Sequence, residues 1–310
     1  MTDGGRLGLG MSQKGGLVRA GEVLKRIPAL EQLAFKALIQ EQQEAQEAGA
    51  LGFMARALVQ ATMPHRRPKE SFFERTNGTF TLTMMAPPKV GLPYGTVPRL
   101  LMVWLTTEAV RIKSRELLLG DSLSDFMRQL GLVPTGGRWG TITRLREQCR
   151  RLFTTSVSCL YLAEHRRIDA EAGFRIADWH VLWWDPKSPD QTDLFDSMVK
   201  LSEPFYMELV KAPVVIKMKT LRKLKQSPLA IDIYCWLTYR MSYLRRATTI
   251  PWPALELQFG ADYRRTRAFK AAFLRHLLTV LAQYPEAKVE VLDAGLRLKP
   301  SPTHVPRIVE

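Results

Sequence analysis

The chain has 310 residues, 46% of them hydrophobic, enough for two domains with real cores, so disorder throughout is excluded. Its 45 lysines and arginines against 30 aspartates and glutamates give a formal net charge of +15, which calls for a polyanionic partner. No run approaches the roughly 18 to 20 apolar residues that span a bilayer, and no signal-peptide core follows the first basic residues, so the expectation is an intracellular protein with no membrane association. The three cysteines, Cys149, Cys159 and Cys235, form no CxxC pair, which predicts buried free thiols rather than a zinc site or a disulfide framework.

Residues 1–20 are glycine-rich and predict disorder, and residues 28–62, rich in Ala, Gln, Glu and Leu, favour helix with interruptions near Gly49 and Gly52. Met63–Lys69 is a proline-bracketed basic linker, and Thr79–Met85 alternates as a strand. Gly95–Lys113 carries a helical apolar pattern, and Asp121–Gly131 reads as a short capped helix ending at glycine. In Thr141–Thr155, Ile142, Leu145, Cys149, Leu152 and Phe153 share one side of a helix, while Arg144, Arg150 and Arg151 fall on the other, with Arg138 in the preceding turn. Ser156–Glu164 and Gly173–Trp184 alternate and are expected to pair as a hairpin, and Asp185–Gln191 reads as a linker.

The order then repeats. Pro204–Val215 has mostly extended patterning, Lys217–Lys225 is a strongly basic helix or turn, and Pro228–Leu244 has one apolar face with proline in its first turn. Pro253–Gly260 is a short apolar segment whose glycine can turn into the next helix. In Ala261–Leu281, Tyr263, Phe269, Phe273, Leu277, Val280 and Leu281 gather on one side, and Arg264, Arg267 and Arg275 stand beside Ala268, Ala271 and Ala272 on the other, with Arg265 at the edge. Ala287–Leu292 and Leu296–Lys299 alternate around Asp293-Ala-Gly295 as a hairpin. The expected fold class is α+β, two tandem winged-helix domains at 76–187 and 188–310, preceded by a flexible, partly helical region at 1–75.

Helix, turn, basic helix and hairpin point to a duplex-DNA reader, because arginine matches guanine O6 and N7 and small alanines let the backbone approach and touch thymine methyl groups. The reading set is Arg264, Arg265, Arg267, Lys270 and Arg275 in the second domain, with Arg138, Arg144, Arg150 and Arg151 in the first. Lys217, Lys219, Arg222, Lys223 and Lys225 suit phosphates. The competing reading of each cation is a solvated surface. No GxxxxGK[ST] loop is present, and His65, His165, His180, His276 and His304 show no HxH or HExxH spacing. The carboxylates Asp185, Asp190, Asp193 and Asp196 sit beside prolines, as in an exposed linker. Catalysis, a metal site and a cofactor are therefore not expected.

The runs Thr135-Gly-Gly-Arg-Trp-Gly-Thr-Ile-Thr-Arg-Leu-Arg-Glu-Gln148, Leu201-Ser-Glu-Pro-Phe-Tyr206, Leu229-Ala-Ile-Asp-Ile-Tyr-Cys-Trp-Leu-Thr-Tyr-Arg240 and Phe269-Lys-Ala-Ala-Phe-Leu274 resemble, in this order, RepA-type plasmid replication initiators. The resemblance covers about residues 75 to 305. It implies a cytoplasmic bacterial protein that binds direct repeats, called iterons, in double-stranded origin DNA. It also implies that the second domain makes the main base contacts, with Arg264, Arg265 and Arg267 reading or clamping the repeat. The first domain would add DNA and dimer contacts, so that monomer and dimer are in equilibrium, and the host helicase and its loader would be partners. Gln191-Thr-Asp-Leu-Phe195 is similar to the QxxLF-type peptides that dock on the replicative sliding clamp, with Gln191, Leu194 and Phe195 as the anchoring positions. A winged-helix transcriptional repressor without a replication role is the competing function.

Overall fold

The computed structural model describes residues 62–77, 80–163, 168–184, 190, 197–211, 216–260, 263 and 265–305. The readings made for residues 1–61, for most of the Asp185–Gln191 linker, and for Arg264, Gln191, Leu194 and Phe195 lie outside the described residues.

β1 (Phe72–Asn77) and β2 (Phe80–Met85) form an antiparallel hairpin. The expected boundary at residue 75 therefore falls inside a strand. α1 (Thr96–Ile112) buries Val97, Leu100, Leu101, Trp104, Leu105 and Ala109 as its spacing predicts, but Ile112, the last position of that pattern, is exposed at the helix end. A short strand, β3 (Glu116–Leu118), leads into α2 (Leu123–Gln129), whose first turn is capped by the Ser122 hydroxyl accepting from the Asp125 amide at 3.2 Å. α3 (Thr141–Thr154) follows, and then β4 (Ser156–Ala163), β5 (Ile168–Arg175), β6 (Ala177–Val181) and β7 (Met198–Leu201).

The pairing of these strands corrects two expectations. Gly173–Trp184 is not one arm of a hairpin: β4 pairs with β5, the chain bends at Ile176, and β6 pairs with β7 in a different sheet. Both pieces alternate, so the period of two runs through the bend without marking it. The second correction concerns the boundary at 187/188. β7 lies between β3 and β6 in one three-stranded sheet, so Met198–Leu201 closes the first unit and does not open the second.

The second unit follows α4 (Glu203–Lys211) and α5 (Met218–Leu224) and contains α6 (Pro228–Tyr243), β8 (Thr248–Pro251), α7 (Trp252–Phe259), α8 (Thr266–Leu281), β9 (Val289–Val291) and β10 (Gly295–Leu298). α4 replaces the extended stretch expected from Pro204. Phe205 and Leu209, four residues apart, are both buried, and the Ser202 hydroxyl accepts from the Phe205 amide at 3.3 Å, so the stretch has a helical stripe and a cap. Gly260 makes the expected turn by close approach. A Cβ there would stand 2.7 Å from the Glu256 carbonyl oxygen, which the Gly260 amide itself caps.

Each unit thus runs helix, strand, helix, helix and then two closing strands, and the sheets share one order, β3-β7-β6 and β8-β10-β9, with the first strand beside the last. In the first unit the β4–β5 hairpin is inserted before the closing strands and joins the N-terminal hairpin in the sheet β1-β2-β4-β5.

The two units share one buried apolar cluster, and polar contacts cross between them. Arg99 on α1 donates to Asp232 on α6 through Nε at 2.7 Å and Nη2 at 2.9 Å, and His65 Nε2 lies 2.7 Å from the same carboxylate. Arg75 on β1 donates to the Gln258 carbonyl on α7 at 2.6 Å. Burial pushes the Asp232 carboxyl up, but Arg99 and His65 together outweigh it and hold its pKa below the ordinary carboxylate range.

Candidate nucleic-acid interface

α8 is an amphipathic helix with one stripe in the core. Phe269, Phe273, Leu277 and Val280 are buried, and the Phe273 ring packs tilted between Phe259 of α7 and Phe269. Tyr263 packs edge-on against Phe269 from the turn before the helix rather than from within it. The opposite face carries Arg267, Ala271, Arg275 and Thr279 in one i, i+4 row, all exposed, with Ala268 beside them. Arg265 is the N-cap residue, exposed and extended. The guanidinium groups of Arg265, Arg267 and Arg275 make no hydrogen bond or ion pair with any described residue. Ala272, expected on this face, is buried. It sits three residues after Phe269 and turns with it into the core.

Lys270 is held rather than free. Its ammonium lies 4.8 Å from the centroid of the Trp252 ring and 3.4 Å from the Asp293 carbonyl in the β9–β10 turn, so it pins the helix to the hairpin. Leu278 is 70% exposed on the same outer face, an apolar residue the charge pattern did not single out.

α3 occupies the same place in the first unit. Ile142, Leu145, Cys149, Leu152 and Phe153 are buried, while Thr143, Arg144, Arg146 and Arg150 are exposed. Arg146 was missed by sequence reasoning although Arg150 follows it at i+4, a spacing that would have found it. Arg138 is exposed in the turn before the helix, 5.2 Å over the ring of Trp139.

Arg151 does not belong to this face. It is 5% exposed, donates to Glu147 Oε1 from Nε at 3.0 Å and Nη2 at 2.7 Å, and donates from Nη1 to the Leu92 carbonyl at 3.0 Å. Its charge is spent inside the fold. Burial, then the neighbouring Arg150 and Arg175 charges, lower the His180 pKa, so this imidazole stays neutral at pH 7 beside the basic helix.

Lys217 just before α5 and Lys219 and Lys223 on it are exposed, the Lys225 ammonium just after it donates to the Gly131 carbonyl at 2.5 Å, and Arg222 is engaged. Its Nη2 donates to the Gln129 carbonyl at the end of α2, and its stem lies so close to Gly131 that a Cβ there would meet it at 2.4 Å. Arg222 therefore joins α5 to the first unit. The three thiols are free and buried, and burial pushes Cys159 up to about 12, out of reach of nucleophilic chemistry. Among the described residues no helix is long and apolar enough to cross a membrane.

Two basic helices, each presented by the same order of elements, define a class of protein in which a repeated scaffold carries an arginine face on its third helix. The fold is similar to that of domains 2 and 3 of RctB. One crystal structure, of selenomethionine derivatives, matches with a TM-score of 0.54 at 13% identity, covering 81% of this chain and 99% of that one. Another, of RctB domains 2–3, matches with a TM-score of 0.50 at 14% identity, covering 78% and 96%. At such identity the likeness is one of fold. The chain belongs to the family described as plasmid encoded RepA protein, whose model matches residues 92–253, just over half of the sequence. The match takes in the whole first unit, α4 to α6 and β8. No curated protein matches the chain.

Proposed function

We propose that this RepA-family initiator binds iterons, direct repeats in double-stranded origin DNA, through two winged helices, with α8 and α3 laid in major grooves. The observation that carries the reading is the exposed row Arg267, Ala271, Arg275 on a helix whose opposite stripe buries Phe269, Phe273, Leu277 and Val280, with Tyr263 and Leu281 half-buried at its ends. Nothing bulky stands between those guanidinium groups, so the helix backbone can approach base edges. β9–β10 and β6–β7 take the place of the wings. Arg265 and Arg267 read bases, and Arg264, outside the described residues, falls in sequence in the same set. Arg138, Arg144, Arg146 and Arg150 contact DNA from the first unit, and Lys217, Lys219 and Lys223 hold phosphates.

Opening of adjacent DNA is driven by binding energy and not by catalysis. Bending or kinking a site costs about 1 to 6 kcal/mol, which contacts from two units can offset. Host helicase, its loader and the sliding clamp are the proposed protein partners, the last through Gln191, Leu194 and Phe195, which lie in sequence between β6 and β7. The decisive experiment is footprinting of the purified protein on origin DNA. Protection of direct repeats with distortion of flanking AT-rich sequence supports an initiator. Protection of an inverted repeat by a dimer, without distortion, supports a repressor instead.

A further inference from the structure

A cleft of about 740 Å³ lies beside the start of α3, between the units. Its walls carry cations from three separate places: Arg66 and Arg67 before β1, Arg138 and Arg144 around the α3 N-terminus, and Lys225 between α5 and α6. Trp139 stands on its rim and is 82% exposed, although a tryptophan normally buries most of its ring. Val133, 68% exposed, lines the same cleft.

The turn that presents Trp139 is built to hold it there. The Thr135 hydroxyl accepts from the Thr141 amide and the Thr141 hydroxyl accepts from the Thr135 amide, both at 2.9 Å, and the Thr143 hydroxyl donates to the Gly137 carbonyl at 3.0 Å. Gly137 takes a φ of +84° that a side chain would strain, and a Cβ on Gly140 would lie 2.2 Å from the Thr135 carbonyl oxygen. Arg138 lies over the indole 5.2 Å from its centroid, and the high exposure of Trp139 leaves the rest of the ring to solvent.

An open indole face ringed by cations is a platform for a flat aromatic group that carries phosphates. In a duplex the faces of the bases are covered by their neighbours, so an indole can stack only on a base that has left the helix. We propose that this cleft binds an unpaired stretch of DNA, with one base stacked on Trp139 and its flanking phosphates held by Arg66 and Arg67, neither of which serves the duplex face. The site rests on the DNA-binding reading above and adds to it a second ligand, a single strand, bound apart from the α8 face.

The test uses the full chain and two labelled probes, a single-stranded oligothymidylate and duplex origin DNA, titrated at one salt concentration. Trp139→Ala weakens single-strand binding by about 5- to 150-fold, the loss expected for one stacked base, and leaves duplex binding at the wild-type level. Trp139→Phe keeps most of the single-strand affinity. The wild-type protein loses tryptophan fluorescence on adding the oligothymidylate, and Trp139→Phe loses less. Single-strand affinity unchanged in Trp139→Ala, or equally reduced in the Phe and Ala variants, overturns the stacking site. A loss of duplex binding matching that of the single strand overturns it too, since the residue would then serve the duplex. Failure of the wild-type protein to bind origin duplex at all would instead refute the DNA-binding reading on which the site rests.

Discussion

Replacing Asp232 by Asn keeps the shape of the side chain and removes the charge at the centre of the junction between the units. Arg99 and Asp232 have side-chain exposures of 3% and 6%, so neither can turn to water when its partner is lost. Arg99 would keep its bonds to the Met63, Pro64 and Gly95 carbonyls and one to the amide oxygen of Asn, but it would lose its second acceptor and its counter-charge. Breaking a buried pair from one side costs about 3 to 5 kcal/mol. At about 2 to 4 °C per kcal/mol for larger domains, the melting temperature falls by about 6 to 20 °C. Urea unfolding followed by circular dichroism reads the same loss as a lower midpoint with an unchanged slope. Because the folded pKa of Asp232 is depressed, its contribution is fully present above the unfolded value of about 4 and is lost as pH falls through the lower, folded value. The acid limb of the stability profile is therefore flatter in Asp232→Asn than in wild type. Arg99→Met combined with Asp232→Leu regains stability over either single variant, since no unpaired charge remains. A cost below about 1 kcal/mol for Asp232→Asn, the range of an exposed pair, would refute the view that this network joins the units.

Arg265→Ala and Arg267→Ala each weaken origin binding by about 1 to 3 kcal/mol and relax sequence preference, with unfolding unchanged. Arg151→Ala behaves oppositely, losing about 1 to 3 kcal/mol of stability while the DNA affinity of the folded fraction holds; gel-shift titration paired with thermal melts separates the two. Lys219→Ala and Lys223→Ala weaken all sequences alike and each lower the salt slope by about 0.9 per phosphate contact, seen by repeating the titration across salt concentrations. In a pull-down, sliding clamp is recovered by wild type and not by a Leu194→Ala, Phe195→Ala variant that retains its circular dichroism and origin binding. Equal recovery disposes of clamp docking.

Whether a residue's part in the interface can be read from the sequence depends on how far away its partner lies. The α8 stripe was legible because Phe269, Phe273 and Leu277 repeat every four residues, and Arg267 and Arg275 follow from the same period. Arg151 was misassigned although Glu147, four residues earlier, is visible in the sequence as its partner. Arg222 and Lys270 could not have been assigned that way. Their partners, the Gln129 carbonyl, Trp252 and the Asp293 carbonyl, are brought to them only by tertiary packing. The end of the first unit was hidden for a related reason. β3 and β7 have three and four residues, too few to show a period, and the pairing of Leu117 with Val199 joins positions far apart in the chain. Trp139 carries the opposite lesson: the sequence displays the residue, but only the fold leaves its ring outside.

The junction also bears on how α3 and α8 would share one site on the proposed reading. Asp232 ties α6 to α1, Arg75 ties β1 to α7, and Arg222 ties α5 to the end of α2, so α3 and α8 are carried on a single body with a shared core. Units on a flexible tether would each find a groove wherever it lay within reach, and their joint affinity would change slowly with spacing. Units on one body accept one spacing. Inserting about five base pairs between the half-sites turns one groove by about half a helical turn relative to the other. Binding to such an origin should fall to that of a single unit, whichever half-site is kept, and restoring a full turn of about ten base pairs should not recover it, because the body cannot lengthen. Gel-shift titration of the spaced duplexes reads this directly. Affinity that survives the half-turn insertion would mean that the two helices do not read one continuous site together.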